Sequence, residues 1–176
     1  MYNKTMQDNH FNYSSFRERV YLKKNLLPEA EKVTYTPISG YDRHDYTFER
    51  DGRLFIVEVK VRLMASTDYQ TTLLEKRKYD YLIDLADSKG GTALLHIFFT
   101  KDRKMAFVNL SKLRGMQGYS GECPATSSKE SEYRLKEIVH LPLEGAMVKN
   151  FFMPPCDKVV EGYSRYVAAL KNKFMA

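Results

Sequence analysis

The dipeptide Asp51-Gly52 divides residues 44–62, HDYTFERDGRLFIVEVKVR, into two β-rich runs and restricts the fold more tightly than any other feature of the chain. A two-residue hairpin of type I′ needs positive φ at both central positions, and Asp-Gly supplies them at little steric cost. A turn at that point dictates the register. Arg50 faces Arg53, Glu49 faces Leu54, Phe48 faces Phe55, Thr47 faces Ile56, Tyr46 faces Val57 and Asp45 faces Glu58. Directly opposed side chains share one face of the sheet, with Cβ atoms about 4.5–5.5 Å apart. Lys60 joins that face by strand alternation, while Phe55, Val57, Val59 and Val61 line the apolar face behind it.

Two opposed carboxylates destabilise a hairpin unless a cation lies between them or one takes up a proton. A hard divalent ion such as Mg²⁺, with Mn²⁺ as a substitute, resolves the conflict because it takes oxygen ligands and keeps several waters. With an ammonium alongside, the set meets the needs of phosphodiester hydrolysis. The metal polarises a phosphoryl oxygen and acidifies a bound water, and Lys60 orients that water and stabilises the developing charge. Against this stands the ordinary meaning of Glu-x-Lys on a strand, a solvated face with a weak ion pair.

The chain of 176 residues is long enough for one domain with a real core, and its +6 formal charge favours an anionic partner such as nucleic acid. No run approaches the roughly 20 apolar residues that span a bilayer, and the N-terminus lacks a secretory apolar segment. Cys123 and Cys156 form neither a disulfide framework nor a zinc signature. These features predict a cytoplasmic protein with no membrane contact. Residues 1–12 are predicted to be a flexible N-terminus, and residues 13–176 a single domain.

Within that domain the pattern predicts helices over 13–27, 71–87 and 157–173 and strands near 33–38, 92–100, 104–110 and 134–143, besides the two of the hairpin. Residues 92–100, TALLHIFFT, are continuously apolar and predict a central strand buried on both faces. Residues 114–132, rich in Gly, Ser, Glu and Lys, predict a mobile loop. The result is a mixed α/β sheet flanked by helices.

At Asp45, at Glu58 thirteen residues later, and at Glu58-Val59-Lys60 closing an apolar strand, the chain resembles the PD-(D/E)XK nuclease superfamily. The spacing is similar to that of archaeal-type Holliday junction resolvases and of related phage or mobile-element nucleases. The resemblance covers residues 13–110 and implies a restriction-endonuclease-like fold. It further implies an Mg²⁺-dependent deoxyribonuclease, an endonuclease rather than an exonuclease, that acts on branched or double-stranded DNA as a homodimer. Asp45 and Glu58 would be metal ligands, Lys60 the catalytic lysine and the carbonyl of Val59 a further ligand. Glu18 on the first helix fits the acidic residue many members carry there, although it lies opposite the Phe16/Val20/Leu27 stripe and reads equally as a surface Glu. His44 stands where the family often has Pro, and Asp42 is a rival for the Asp45 position. Some relatives are inactive, so a silent nucleic-acid-binding or assembly module on the same fold is the alternative.

The predicted helix at 71–87 adds DNA-contact candidates. Gln70, Lys76 and Arg77 occur where related nucleases contact DNA, and a charged solvent face explains them equally well. Arg62 shares the face of Glu58 and Lys60 and is the better phosphate candidate. Lys78, four residues from both Leu74 and Leu82, either reaches a backbone phosphate or packs its stem on the core.

Overall fold

The turn at Asp51-Gly52 forms as its chemistry demands, with φ of 51° and 71° at the two positions. The chain was described with a computed structural model that covers residues 4–37, 44–124 and 133–175. The hairpin joins β2 (Tyr46–Arg50) to β3 (Arg53–Arg62) in the expected register, from Arg50↔Arg53 to Tyr46↔Val57. Nothing lies within 4 Å of a Cβ built on Gly52, so its backbone conformation alone explains the glycine. Gly52→Val is expected to lower the stability by about 1–2 kcal/mol, the cost of a bulky residue in the left-handed region. An unchanged urea midpoint would contradict this.

The predicted mixed α/β sheet flanked by helices is present. A six-stranded sheet runs in the order β1-β2-β3-β5-β6-β9, with β1 at Glu31–Tyr35, β5 at Thr92–Phe99, β6 at Lys104–Asn109 and β9 at Met147–Asn150. β5 is parallel to β3 and antiparallel to β6. Its continuous apolar run is central, and its residues 93–99 are buried. Parallel neighbours need a crossover, which here contains β4 (Thr71–Glu75) and α2 (Lys76–Ser88). A second sheet, ordered β4-β8-β7, is built from β7 (Tyr119–Pro124) and β8 (Tyr133–Pro142).

Each face of the large sheet is covered differently. On one, Ile56, Leu95 and Ile97 pack against Leu82 and Ala86 of α2 and against Leu74, Val139 and Leu141 of the small sheet. On the other, Val57, Val59 and Phe98 pack against Tyr21 and Leu22 of α1 (Lys4–Lys24) and Val159 of α3 (Cys156–Met175). Buried Asn25 ties the end of α1 to the chain after β9: its Nδ2 donates to Phe152 O at 2.8 Å and its Oδ1 accepts from Phe152 N at 2.6 Å.

Several expected elements are corrected. Residues 71–75 are a strand rather than the first turn of a helix, because their backbone pairs with β8, as in Leu74↔Val139. The expected loop at 114–132 contains β7, which pairs with the other edge of β8; residues 125–132 lie outside the described residues. The first helix spans Lys4–Lys24, not 13–27. β9 and the 3-10 turn Leu110–Lys112 carry no strong local signal and were not expected from the sequence. Among the described residues, no helix is long and apolar enough to cross a membrane.

Candidate active site

Glu58 lies on β3, on the same face as Ile56, and is only 1% exposed. A carboxylate so deeply placed needs partners, and it has two. Lys60 Nζ lies 2.6 Å and Lys78 Nζ 2.7 Å from its Oε1. Burial alone would raise Glu58, but the two ammonium groups outweigh it and hold the carboxyl below its usual value. Its Oε2 is buried and has no hydrogen-bond partner among the described residues.

Asp45 is brought to the same place by a different device. The hairpin ladder ends at Tyr46↔Val57, and the Asp45 N–H also donates to Val57 O, at 2.8 Å. Two residues of one strand thus stand opposite one residue of the other, as in a β-bulge. The direct Asp45–Glu58 opposition expected from the sequence is therefore replaced by a turned side chain, whose Oδ2 accepts the Val59 N–H at 2.7 Å. The N–H and C=O of a strand residue point to the same side, so the Val59 carbonyl looks into the gap beside Asp45. Thr36 Oγ1 and the Arg19 guanidinium donate to the Asp45 carbonyl at 3.0 and 3.3 Å and hold the bulge in place.

Burial and the surrounding charges act differently on each acid. Burial pushes Asp45 up to about 8, and the charges of Glu58 and Glu18 push the same way. Glu18 is itself raised by burial and by Glu58, against the opposing charges of Lys60 and Lys78. Burial would lower Lys60, yet Glu58, Glu18 and Asp45 together hold it above its ordinary value. Glu18, Asp45 and Glu58 thus act on one another's charge and on that of Lys60.

The remaining candidates are distributed around it. Arg62 donates to Leu73 O at 2.8 Å, so its guanidinium is already engaged by the small sheet. Gln70 is exposed, and its carbonyl accepts from Leu143 N. Lys76 is held by Asp80, with Nζ 2.6 Å from both carboxylate oxygens, while Arg77 is exposed on the same first turn of α2. Lys78 neither points to the rim nor only packs on the core; its ammonium bonds Glu58. Asp42 lies outside the described residues. His96 is a core residue, 1% exposed, with burial pushing it down to about 3.

Two site residues were weakly signalled. Glu18 was read against a Phe16/Val20/Leu27 stripe, but it stands one helical turn from Tyr21 and Leu22, which are 7% and 0% exposed. Lys78 stands one turn from fully buried Leu82. An ionisable residue one turn from a buried apolar residue was the available signal in both cases.

No protein-family model matches the chain, and no curated protein matches it either. Among solved structures it is similar to the Holliday junction resolvase of the archaeon Archaeoglobus fulgidus, with 11% identity and a TM-score of 0.47. The match covers 74% of this chain and 94% of the resolvase.

Proposed function

We propose that the protein is a metal-dependent nuclease that hydrolyses DNA phosphodiester bonds at the Asp45–Glu58–Lys60 site. The observation that carries this reading is buried Glu58 bonded by the amines of Lys60 and Lys78, with the Asp45 side chain turned onto the Val59 amide beside it. A stability role explains it poorly. Buried ion pairs return little net free energy, and an aspartate raised to about 8 opposes folding at neutral pH.

The donor set fits a hard divalent cation. Glu58 Oε2 has no hydrogen-bond partner among the described residues, the Asp45 carboxyl is raised by burial and by its acidic neighbours, and the Val59 carbonyl lies on the Asp45 side of the strand. All are oxygen donors, as Mg²⁺ or Mn²⁺ requires, with Glu18 near enough to act on the same field. Among the described residues, no three His, Cys, Asp or Glu side chains already stand as a metal cage. When bound, such a cation supplies an electrophile for a phosphoryl oxygen and a water of lowered pKa.

The chain's own groups do the rest. Lys60, kept protonated by its acidic neighbours, orients the attacking water and offsets negative charge on the phosphorane-like transition state. Lys78 shares Glu58 with it and keeps the carboxylate ionised. Lys76, Arg77 and Lys78 crowd the first turn of α2, which contains no acid. Cations there oppose the helix dipole, and a DNA phosphate arriving at that end would relieve the opposition. Arg62 and Gln70 border the same approach.

The test is a titration of Mg²⁺ and Mn²⁺ against duplex, branched and single-stranded DNA and against RNA. Cleavage of DNA that depends on the metal, and its loss by at least about a hundredfold in Lys60→Ala, are expected. Cleavage by Lys60→Ala and Asp45→Ala at the wild-type rate would refute the assignment. Tight DNA binding with no cleavage under either metal would favour a silent binding module. That reading gains some support from the two lysines already closed on Glu58 Oε1.

A further inference from the structure

Two ammonium groups share a single oxygen of Glu58. Lys60 Nζ and Lys78 Nζ lie 2.6 and 2.7 Å from Oε1, while Oε2 is buried and has no hydrogen-bond partner among the described residues. Each oxygen of a carboxylate can accept, so two donors have no need to crowd onto one of them.

The two lysines are held in different ways. Lys60 stands two residues from Glu58 on β3, and the charges of Glu58, Glu18 and Asp45 all act to keep it protonated. Lys78 reaches Glu58 from another element, across 20 residues of sequence. It belongs to the first turn of α2, which contains no acid, and a cation there opposes the helix dipole. Its side chain is 27% exposed against 1% for Glu58. The ammonium therefore has a way out to solvent that the carboxylate lacks.

Charge gives this difference a consequence. One carboxylate against two ammonium groups leaves a net positive charge around Glu58, which opposes the approach of a divalent cation. With Lys78 withdrawn, the Glu58–Lys60 pair is neutral. Glu58 cannot make the adjustment itself, because its strand is paired to β2 on one side and to β5 on the other. Lys78 can, since its charge sits at the end of a flexible four-carbon stem.

We propose that Lys78 is a latch on the metal site, so that a divalent cation binds at Glu58 only in competition with this one ammonium. The proposal concerns regulation of the site assigned above and rests on that reading for the identity of the ligands, but metal binding needs no cleavage.

The experiment is calorimetric titration of Mn²⁺ into the protein at about pH 7 without nucleic acid. Wild type is compared with Lys78→Met, Lys78→Gln, Lys78→Arg and Lys89→Met. Thermal melts verify folding, and Asp45→Ala identifies the heat that belongs to the site. Lys89→Met removes the same charge at the other end of α2. The dissociation constant for Mn²⁺ is expected to fall about tenfold in Lys78→Met and Lys78→Gln. That is the effect of one unit charge a few ångströms from a divalent ion, even with the screening of bulk water. It should stay near the wild-type value in Lys78→Arg and Lys89→Met. Wild-type or weaker affinity in both neutral Lys78 variants would overturn the latch. An equal gain in Lys89→Met would do the same, because net charge would then be the cause. Metal-dependent cleavage with equal Mn²⁺ affinities would remove the latch and leave the nuclease standing. Tighter Mn²⁺ binding in the neutral Lys78 variants, with no cleavage by any of the proteins, would do the reverse. Absence of the site's heat from wild type and from both neutral variants would overturn the two together.

Discussion

Asp45→Asn is expected to make the protein more stable than wild type at pH 8 and above while removing metal-dependent cleavage. Folding raises the Asp45 carboxyl from 3.8 to about 8, through burial first and then Glu58 and Glu18. The folded chain therefore holds that proton more tightly than the unfolded chain. Stability from this group is complete below about pH 4 and is lost as pH rises towards and through 8. Asparagine has no charge to bury at any pH and keeps an oxygen for the Val59 N–H that Asp45 Oδ2 now accepts at 2.7 Å.

The melting curves of the two proteins should thus coincide near pH 4 and separate with rising pH. The gap should be on the order of 3 kcal/mol by pH 8.5 once solvent screening is allowed for. For a chain of this size that is roughly 10 °C in Tm. Some pH dependence will persist in Asp45→Asn, because Glu18 is raised in the same direction. Added Mg²⁺ or Mn²⁺ should raise the wild-type Tm more at pH 8 than at pH 5, since a cation competes with the proton for the same oxygens. Parallel Tm profiles for wild type and variant across this range would show that the Asp45 carboxyl is not strained.

Glu58→Ala should act in the opposite direction on stability. Removing the carboxylate leaves the ammonium groups of Lys60 and Lys78, each 27% exposed, facing one another without the anion they now share. The loss should be about 3 kcal/mol, typical of a pair broken from one side. Glu58→Gln should lose less, because its amide oxygen still accepts a hydrogen bond. The double variant Glu58→Ala/Lys60→Met should recover part of the loss, since only one cation then remains. Urea unfolding of the four proteins measures this coupling, and Glu58→Ala at wild-type stability would mean that the triad is not formed. Cleavage should be absent from every variant.

The two expected results together define one kind of site, in which two lysines lower one acid while burial and acidic neighbours raise the other. Such opposed protonation within one cluster is common where chemistry is done.

Much of this could be read without coordinates, for local reasons. The Asp51-Gly52 turn, its register and the buried run at 93–99 follow from dihedral preference and strand period, which involve neighbouring residues alone. Where period was a poor guide, the partner lay far along the chain. Residues 71–75 carry Leu73 and Leu74 next to a true helix, and their strand character comes from β8. Residues 119–124 have the Gly and Ser content of a loop and become a strand on the other edge of β8. The bulge at Asp45 could not be inferred from the turn, because a register counted outward from Asp51-Gly52 carries no information about where pairing stops.

By itself the sequence determined the hairpin, the placing of Glu58 and Lys60 together on one face of β3, and the mixed α/β class. Tertiary structure alone decided that Glu18 of α1 and Lys78 of α2 would join them, that Asp45 would turn onto the Val59 amide, and that a second sheet would stand beside the site. The division has a simple cause. Turn chemistry and side-chain alternation act over a few residues, whereas the charge state of a buried carboxyl depends on whichever distant elements are packed around it.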